Sequence, residues 1–332
     1  MLKRLLRIIT AVLLAFVALL VIAAVGMIPT MRRLSSTHHG NPFVKINKSG
    51  VIPKDVRIVR DIEFEKVGSS SLRLDILRPK SMPSHPIPAV IWIHGGWFHK
   101  GNRNIFYSPL FKLISSGFAI VSIDYRLTQD APFPAQVQDC KCAVRWLRAH
   151  SKEYGIDPHR IGACGGSAGG YLAAFLGASA GIKAFEGDGG CKDQPSDVQA
   201  VADYYGPTDF RAIPKEISSN RISLVLANLI ANNRLSPISQ FLGCSMAASP
   251  EKCKAASPIS YVKKGIPPFL ILHGKKDMTV PFNQSELLYH ALKKAGIEAE
   301  LVAVPNGAHE FSDTRADARM IEFFTKHLKE RP

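Results

Sequence analysis

The sequence lacks the signatures of several protein classes. Its six cysteines include no C-x-x-C pair, and its eleven histidines show no metal-site spacing, so no zinc module or dithiol redox centre is indicated. Aromatic residues make up only 8% of the chain, and no basic–aromatic cluster is present. The net charge of +15 therefore reads as a solvated basic surface suited to anionic lipid or an acidic polymer. Nucleic-acid recognition is not expected. There is no internal repeat, so a solenoid is not expected either. What is present is 332 residues with 46% hydrophobic content, enough for one large core.

Charge is also missing from one stretch. Residues 8–28 contain no ionisable side chain, with Lys3, Arg4 and Arg7 before them and Arg32 and Arg33 after. The run is long enough to span a bilayer or to act as a long signal peptide, and Ala24-Val25-Gly26 is a passable cleavage site. Residues 1–30 are expected to be a signal or membrane anchor, either retained or cleaved. The protein is expected to be exported: membrane-anchored, secreted or periplasmic. Residues 31–53, mixed polar with Gly and Pro, read as a linker.

Residues 54–332 show a rhythm of strands and helices. Residues 56–67 and 72–77 alternate apolar and polar and predict a hairpin turned at Gly68-Ser69-Ser70-Ser71. Ala89-Val90-Ile91-Trp92-Ile93 and the run at 118–123 are continuously apolar, as strands buried on both faces are. Further strands are expected at 161–164, 198–204, 268–272 and 301–304, with helices at 135–149 and 316–328. Strands alternating with helices predict an α/β fold with a mostly parallel sheet covered on both faces. Residues 206–261 break the rhythm and read as a lid insertion. Cys244 and Cys253 fall within it and are candidates for a local disulfide in an exported chain. Cys142 and Cys164 sit in apolar surroundings and read as small buried hydrophobes, while Cys140 and Cys191 have no assigned role.

The strand expected at 161–164 leads into Gly165-Gly166-Ser167-Ala168-Gly169, of the form G-x-S-x-G, and a helical pattern follows. Strand, tight turn and helix are the context of a nucleophile elbow, in which small neighbours let a strained turn raise the serine. Such a serine needs a base, and the base needs a group that holds its tautomer. Asp277 follows the strand at 268–272, and His309 follows the last strand. The order Ser167, Asp277, His309, with each residue in a loop after a strand, fits a catalytic triad. An oxyanion needs N–H donors on rigid backbone. Ala168 is one candidate. Gly95 and Gly96 of His94-Gly95-Gly96-Trp97 are the others. His94 is expected to fix that loop. Trp97 and Phe98 are candidates for the pocket mouth, with plain packing as the alternative.

With these segments in hand, the chain resembles the α/β-hydrolase fold and, within it, the hormone-sensitive-lipase-like and carbohydrate-esterase-like esterases. The resemblance covers residues from about 56 to the end. It rests on His94-Gly95-Gly96-Trp97, Ser122-Ile123-Asp124-Tyr125-Arg126-Leu127, Gly166-Ser167-Ala168-Gly169-Gly170, Tyr205-Gly206-Pro207-Thr208-Asp209 and the Asp277 and His309 loops. Trp97 stands where lipase-like members usually carry a third glycine, which points toward the acetyl xylan or feruloyl esterase-like branch. The resemblance implies a serine esterase acting on short acyl or aromatic acyl esters, on a small molecule or a polysaccharide, with no metal or organic cofactor.

A peptidase or arylformamidase of the same fold is the alternative within enzymes. A peptidase of the oligopeptidase type normally adds a large N-terminal gating domain, for which residues before 56 leave no room. A catalytically inactive, membrane-tethered binding protein is the alternative from another class, but such relatives usually lose the serine or the histidine. Oligomeric state is not encoded in any pattern found here.

Overall fold

The computed structural model describes residues 42–48, 50–68, 70–213, 233–234 and 236–329. The charge-free run at 8–28, most of the linker and residues 214–232 of the insertion lie outside them. Among the described residues no helix is long and apolar enough to cross a membrane.

A short β1 (Phe43–Lys45) precedes the hairpin β2 (Val56–Val67) and β3 (Ser70–Pro79). Then come β4 (Ile87–Ile93), β5 (Ile105–Tyr107), α1 (Leu110–Ser115) and β6 (Ala119–Ile123). Helices α2 (Ala135–Ala149) and α3 (Ser151–Tyr154) lead to β7 (Ile156–Gly166), α4 (Ala168–Ala178) and β8 (Ala200–Tyr204). The chain continues through α5 (Pro237–Leu242), α6 (Pro250–Ala255), β9 (Phe269–Gly274), α7 (Asn283–Lys294), β10 (Ala299–Val304) and α8 (Thr314–Leu328).

Eight strands form one sheet in the order β10-β9-β8-β7-β4-β6-β3-β2. Neighbours from β10 to β6 are parallel, and β3 and β2 close that edge antiparallel. Every residue of β4, β6, β8 and β9 is buried, which is why their sequences are mostly apolar and do not alternate, with Ser122, Asp203 and His273 as the polar exceptions. The pleat sorts them by face. Ala89, Ile91 and Ile93 join the core under α2, α4 and α7, while Val90 and Trp92 join the core under α1 and α8. This is the α/β-hydrolase architecture expected from the sequence.

The pairing of β1 with β5 was not foreseen. Each has three residues, too few to show a period. Trp92 anchors the pair from below, its Nε1–H donating to the Ile105 carbonyl at 2.8 Å and its ring stacking on Tyr107.

The described part of the insertion is tied to the rest of the domain: the Tyr171 hydroxyl donates to the Ala256 carbonyl at 2.6 Å, and the Phe133 N–H donates to the Phe241 carbonyl at 2.7 Å. One expectation about it needs correction. The disulfide expected between Cys244 and Cys253 is not formed, and all six cysteines are free thiols. Cys253 is turned inward on α6, and its Sγ lies 3.6 Å from the Met246 carbonyl. Cys244 sits in the turn just after Gly243, whose left-handed backbone ends α5. Cys140, Cys142 and Cys164 are fully buried.

Candidate active site

The elbow forms where β7 hands over to α4. Ser167 holds φ 58° and ψ −120°, a left-handed conformation that costs an L-residue energy. Two bonds hold the strained residue: its N–H donates to the Tyr204 carbonyl at 2.8 Å, and its own carbonyl accepts from Tyr171 N–H at 3.0 Å. The turn brings α4 so near β4 that a Cβ on Gly169 would lie 1.9 Å from the Ile93 carbonyl oxygen. Only glycine fits there.

The other two candidates converge on this serine. His309 Nδ1 lies 2.7 Å from Asp277 Oδ2, and His309 Nε2 lies 3.1 Å from Ser167 Oγ. A carboxylate only accepts, so Nδ1 carries the proton and Nε2 is left to accept from the Ser167 hydroxyl. The Asp277 loop supplies its own donors, with Thr279 N–H at 2.7 Å and Val280 N–H at 2.9 Å from Oδ1. Burial alone would raise the Asp277 pKa, but hydrogen bonds from His273 and His309 outweigh it and hold the carboxyl well below the usual range.

The glycine loop after β4 stands beside the elbow. His94 Nδ1–H donates to the Gly95 carbonyl at 2.8 Å, its ring stacks on Tyr125, and the Tyr125 hydroxyl donates to the His94 carbonyl at 3.0 Å. Burial lowers the His94 pKa. His94 is thus a loop-fixing residue, as expected. Gly96, at φ 121°, closes the turn by accepting from His99 and Lys100 N–H, both at 3.1 Å. Arg103 clamps the far end of the loop through Asp124 Oδ2 at 2.6 Å, Asp75 Oδ1 at 3.0 Å, and Asp61. Among the described residues, the N–H groups of Gly95, Gly96 and Ala168 donate to no other protein atom.

The two mouth candidates part company. Trp97 is 39% exposed, but Phe98 is 2% exposed and is not a mouth residue. Both have positive φ, 59° and 60°. Phe98 packs edge-on to Tyr171 and stacks on Phe241.

Three site neighbours escaped the sequence reading. Tyr205 packs its ring 4.6 Å from that of His309. Asp203 lies buried at the end of β8, its Oδ1 accepting from Gly206 N–H at 2.9 Å, and burial pushes its pKa up to about 6. His273, fully buried on β9, presents Nε2 to Asp277 Oδ2 at 3.1 Å. Its position four residues before Asp277 was visible in the sequence, but nothing there said which way its ring points.

Comparison with known proteins gives the family. Residues 74–292 match the BD-FAE family model, well over half of the chain. The chain belongs to the BD-FAE family. It is 35% identical over 254 residues to the esterase LipQ of Mycobacterium tuberculosis, a match covering 76% of this chain and 56% of that protein. It thus spans just over half the length of the curated relatives it matches. Among solved structures, a truncated carbohydrate esterase from gut microbiota superposes with a TM-score of 0.72 at 30% identity, covering 88% of this chain and 99% of that one. An esterase of Thermogutta terrifontis superposes with a TM-score of 0.65 at 26% identity, covering 84% and 95%. That esterase has also been solved with propionate, with butyrate, and phosphorylated by paraoxon.

Proposed function

We propose that this BD-FAE chain is a serine esterase that hydrolyses carboxylic esters through an acyl-enzyme. The observation that carries the reading is the hydrogen-bonded series from Asp277 to His309 to Ser167, at 2.7 and 3.1 Å. In this reading Ser167 Oγ attacks the ester carbonyl carbon while its proton passes to His309 Nε2. The oxyanion of the tetrahedral intermediate is met by the N–H groups of Gly95, Gly96 and Ala168, which have no other protein acceptor among the described residues. His309 returns the proton to the departing alkoxide. Water then attacks the acyl carbon, His309 takes its proton and gives it back to Ser167 Oγ, and the acid leaves.

The preferred substrates are short acyl esters on a carbohydrate or small alcohol, with aromatic acyl esters as the related class. Propionate and butyrate in the Thermogutta esterase, and the carbohydrate esterase among the structural relatives, support that choice. Trp97 is the rim residue proposed to meet the substrate. We further propose export, with residues 8–28 kept as an anchor or removed, on the strength of that charge-free run.

The test is Ser167→Ala assayed on p-nitrophenyl acetate, butyrate and longer esters, and on acetylated and feruloylated xylan. Loss of about 1,000-fold or more in kcat with the fold intact is expected. Undiminished turnover in that variant would overturn the reading, and turnover of amide in preference to ester substrates would replace it with a peptidase or formamidase.

A further inference from the structure

We propose that His273 is a positioning residue for this reaction, a second imidazole that fixes the free oxygen of Asp277 so that His309 meets it in one orientation. The inference rests on the esterase reading above. It concerns a residue that neither attacks nor transfers a proton.

The Asp277 carboxylate is held unevenly. Oδ1 accepts two backbone N–H groups from its own loop, at 2.7 and 2.9 Å. With Oδ1 pinned, the plane of the carboxylate is set by what holds Oδ2. Among the described residues two side chains reach Oδ2, and both are imidazoles: His309 Nδ1 at 2.7 Å and His273 Nε2 at 3.1 Å. His309 is the group that must be oriented, so it cannot serve as the reference. His273 can.

His273 is itself immobile. It lies on β9 and is 0% exposed. Its Nε2 faces two acceptors, Asp277 Oδ2 and the Val280 carbonyl at 3.0 Å, so that nitrogen carries the proton. Nδ1 is then a lone pair, and the Ser285 hydroxyl donates to it at 2.7 Å. The rings of Phe282 and Tyr205 pack against it nearly edge-on. The ring is thus satisfied at both nitrogens. Ser285 comes from the first turn of α7, so strand, loop and helix are joined through one imidazole. The same contact argues against Asn283-Gln284-Ser285, which has the form of a glycosylation acceptor, serving as one: Gln284 and Ser285 are buried.

A merely structural histidine would affect stability and leave turnover alone, so the test reads kcat and KM separately. His273→Gln can keep an N–H donor toward Oδ2, whereas His273→Leu fills the space without one. Kinetics are measured on p-nitrophenyl acetate at one pH, with folding checked by circular dichroism. His273→Leu should lower kcat on the order of 10- to 100-fold with KM nearly unchanged, the usual range for losing one bond to a charged group. His273→Gln should recover most of that loss. Equal kcat in His273→Leu and the wild type, or equal losses in the Leu and Gln variants, would overturn the proposal. If His273→Leu does not fold, Ser285→Ala decides: it keeps the ring and frees Nδ1, and kcat should drop while KM holds. An unchanged kcat there would overturn it. Ser167→Ala run alongside separates the two levels. Turnover in that variant sinks the esterase reading, whereas a dead Ser167→Ala beside a fully active His273→Leu sinks only the role of His273.

Discussion

Phe98 stacks on Phe241 with ring centroids 4.0 Å apart and planes 19° from parallel. The first ring comes from the glycine loop beside the elbow and the second from the insertion after β8. The pair therefore joins the proposed oxyanion donors to a segment more than a hundred residues away in sequence. Tyr171 of α4 meets both rings edge-on, so the elbow helix is part of the same cluster.

Phe98→Ala should therefore do two things. Removing a fully buried aromatic should cost about 3–5 kcal/mol of stability, read as a lower denaturant midpoint. It should also lower kcat on small esters, because the backbone of Gly95 and Gly96 loses its anchor. A variant that loses stability and keeps wild-type kcat would show that the loop is held by His94, Tyr125 and Arg103 alone.

The contrast between Phe98 and its neighbour shows what a sequence can express. The elbow, its acid and its base were legible because each is tied to the end of a strand, and buried parallel strands announce themselves as apolar runs. The facing of Trp97 and Phe98 was not legible, since both are aromatic and it is the partners Tyr171 and Phe241, far away in sequence, that take Phe98 into the core. The role of His273 was hidden for a related reason. A histidine inside an apolar strand has two faces to choose from, and only the partners Asp277 and Ser285 decide. The spacing of Cys244 and Cys253 permits a bridge but does not make one, and both are free thiols.

Asp277 is argued to hold the His309 tautomer, and Asp277→Asn tests that directly. An amide NH2 in place of Oδ2 would face His309 Nδ1 and drive the ring proton to Nε2, where it can no longer accept from Ser167. The expected loss in kcat is about 10,000-fold, the size found when this exchange is made in a serine-protease triad. Labelling of Ser167 by a fluorophosphonate should slow in parallel, with KM little changed. A loss under about tenfold would remove Asp277 from the orienting role.

Asp203 gives a prediction about stability and pH. Burial pushes its folded pKa up to about 6, with the Gly206 N–H and nearby His273 only partly offsetting that push. An unfolded aspartate titrates near 4. Between about pH 4 and pH 6 the folded chain therefore holds a proton that the unfolded chain has released, so folding stability falls as pH rises through that window. Above pH 6 the cost is complete, on the order of 2–3 kcal/mol. Asp203→Asn keeps an acceptor for the Gly206 N–H and cannot ionise. Any fixed penalty for burying its amide is the same at every pH, so only the slope is diagnostic. Denaturant midpoints of the two proteins at pH 4, 5, 6 and 7 should diverge in favour of the variant up to pH 6 and then run parallel. Curves that stay parallel across the whole range would mean that Asp203 has the same pKa in the folded and unfolded chains, and would remove burial as a cost to its charge.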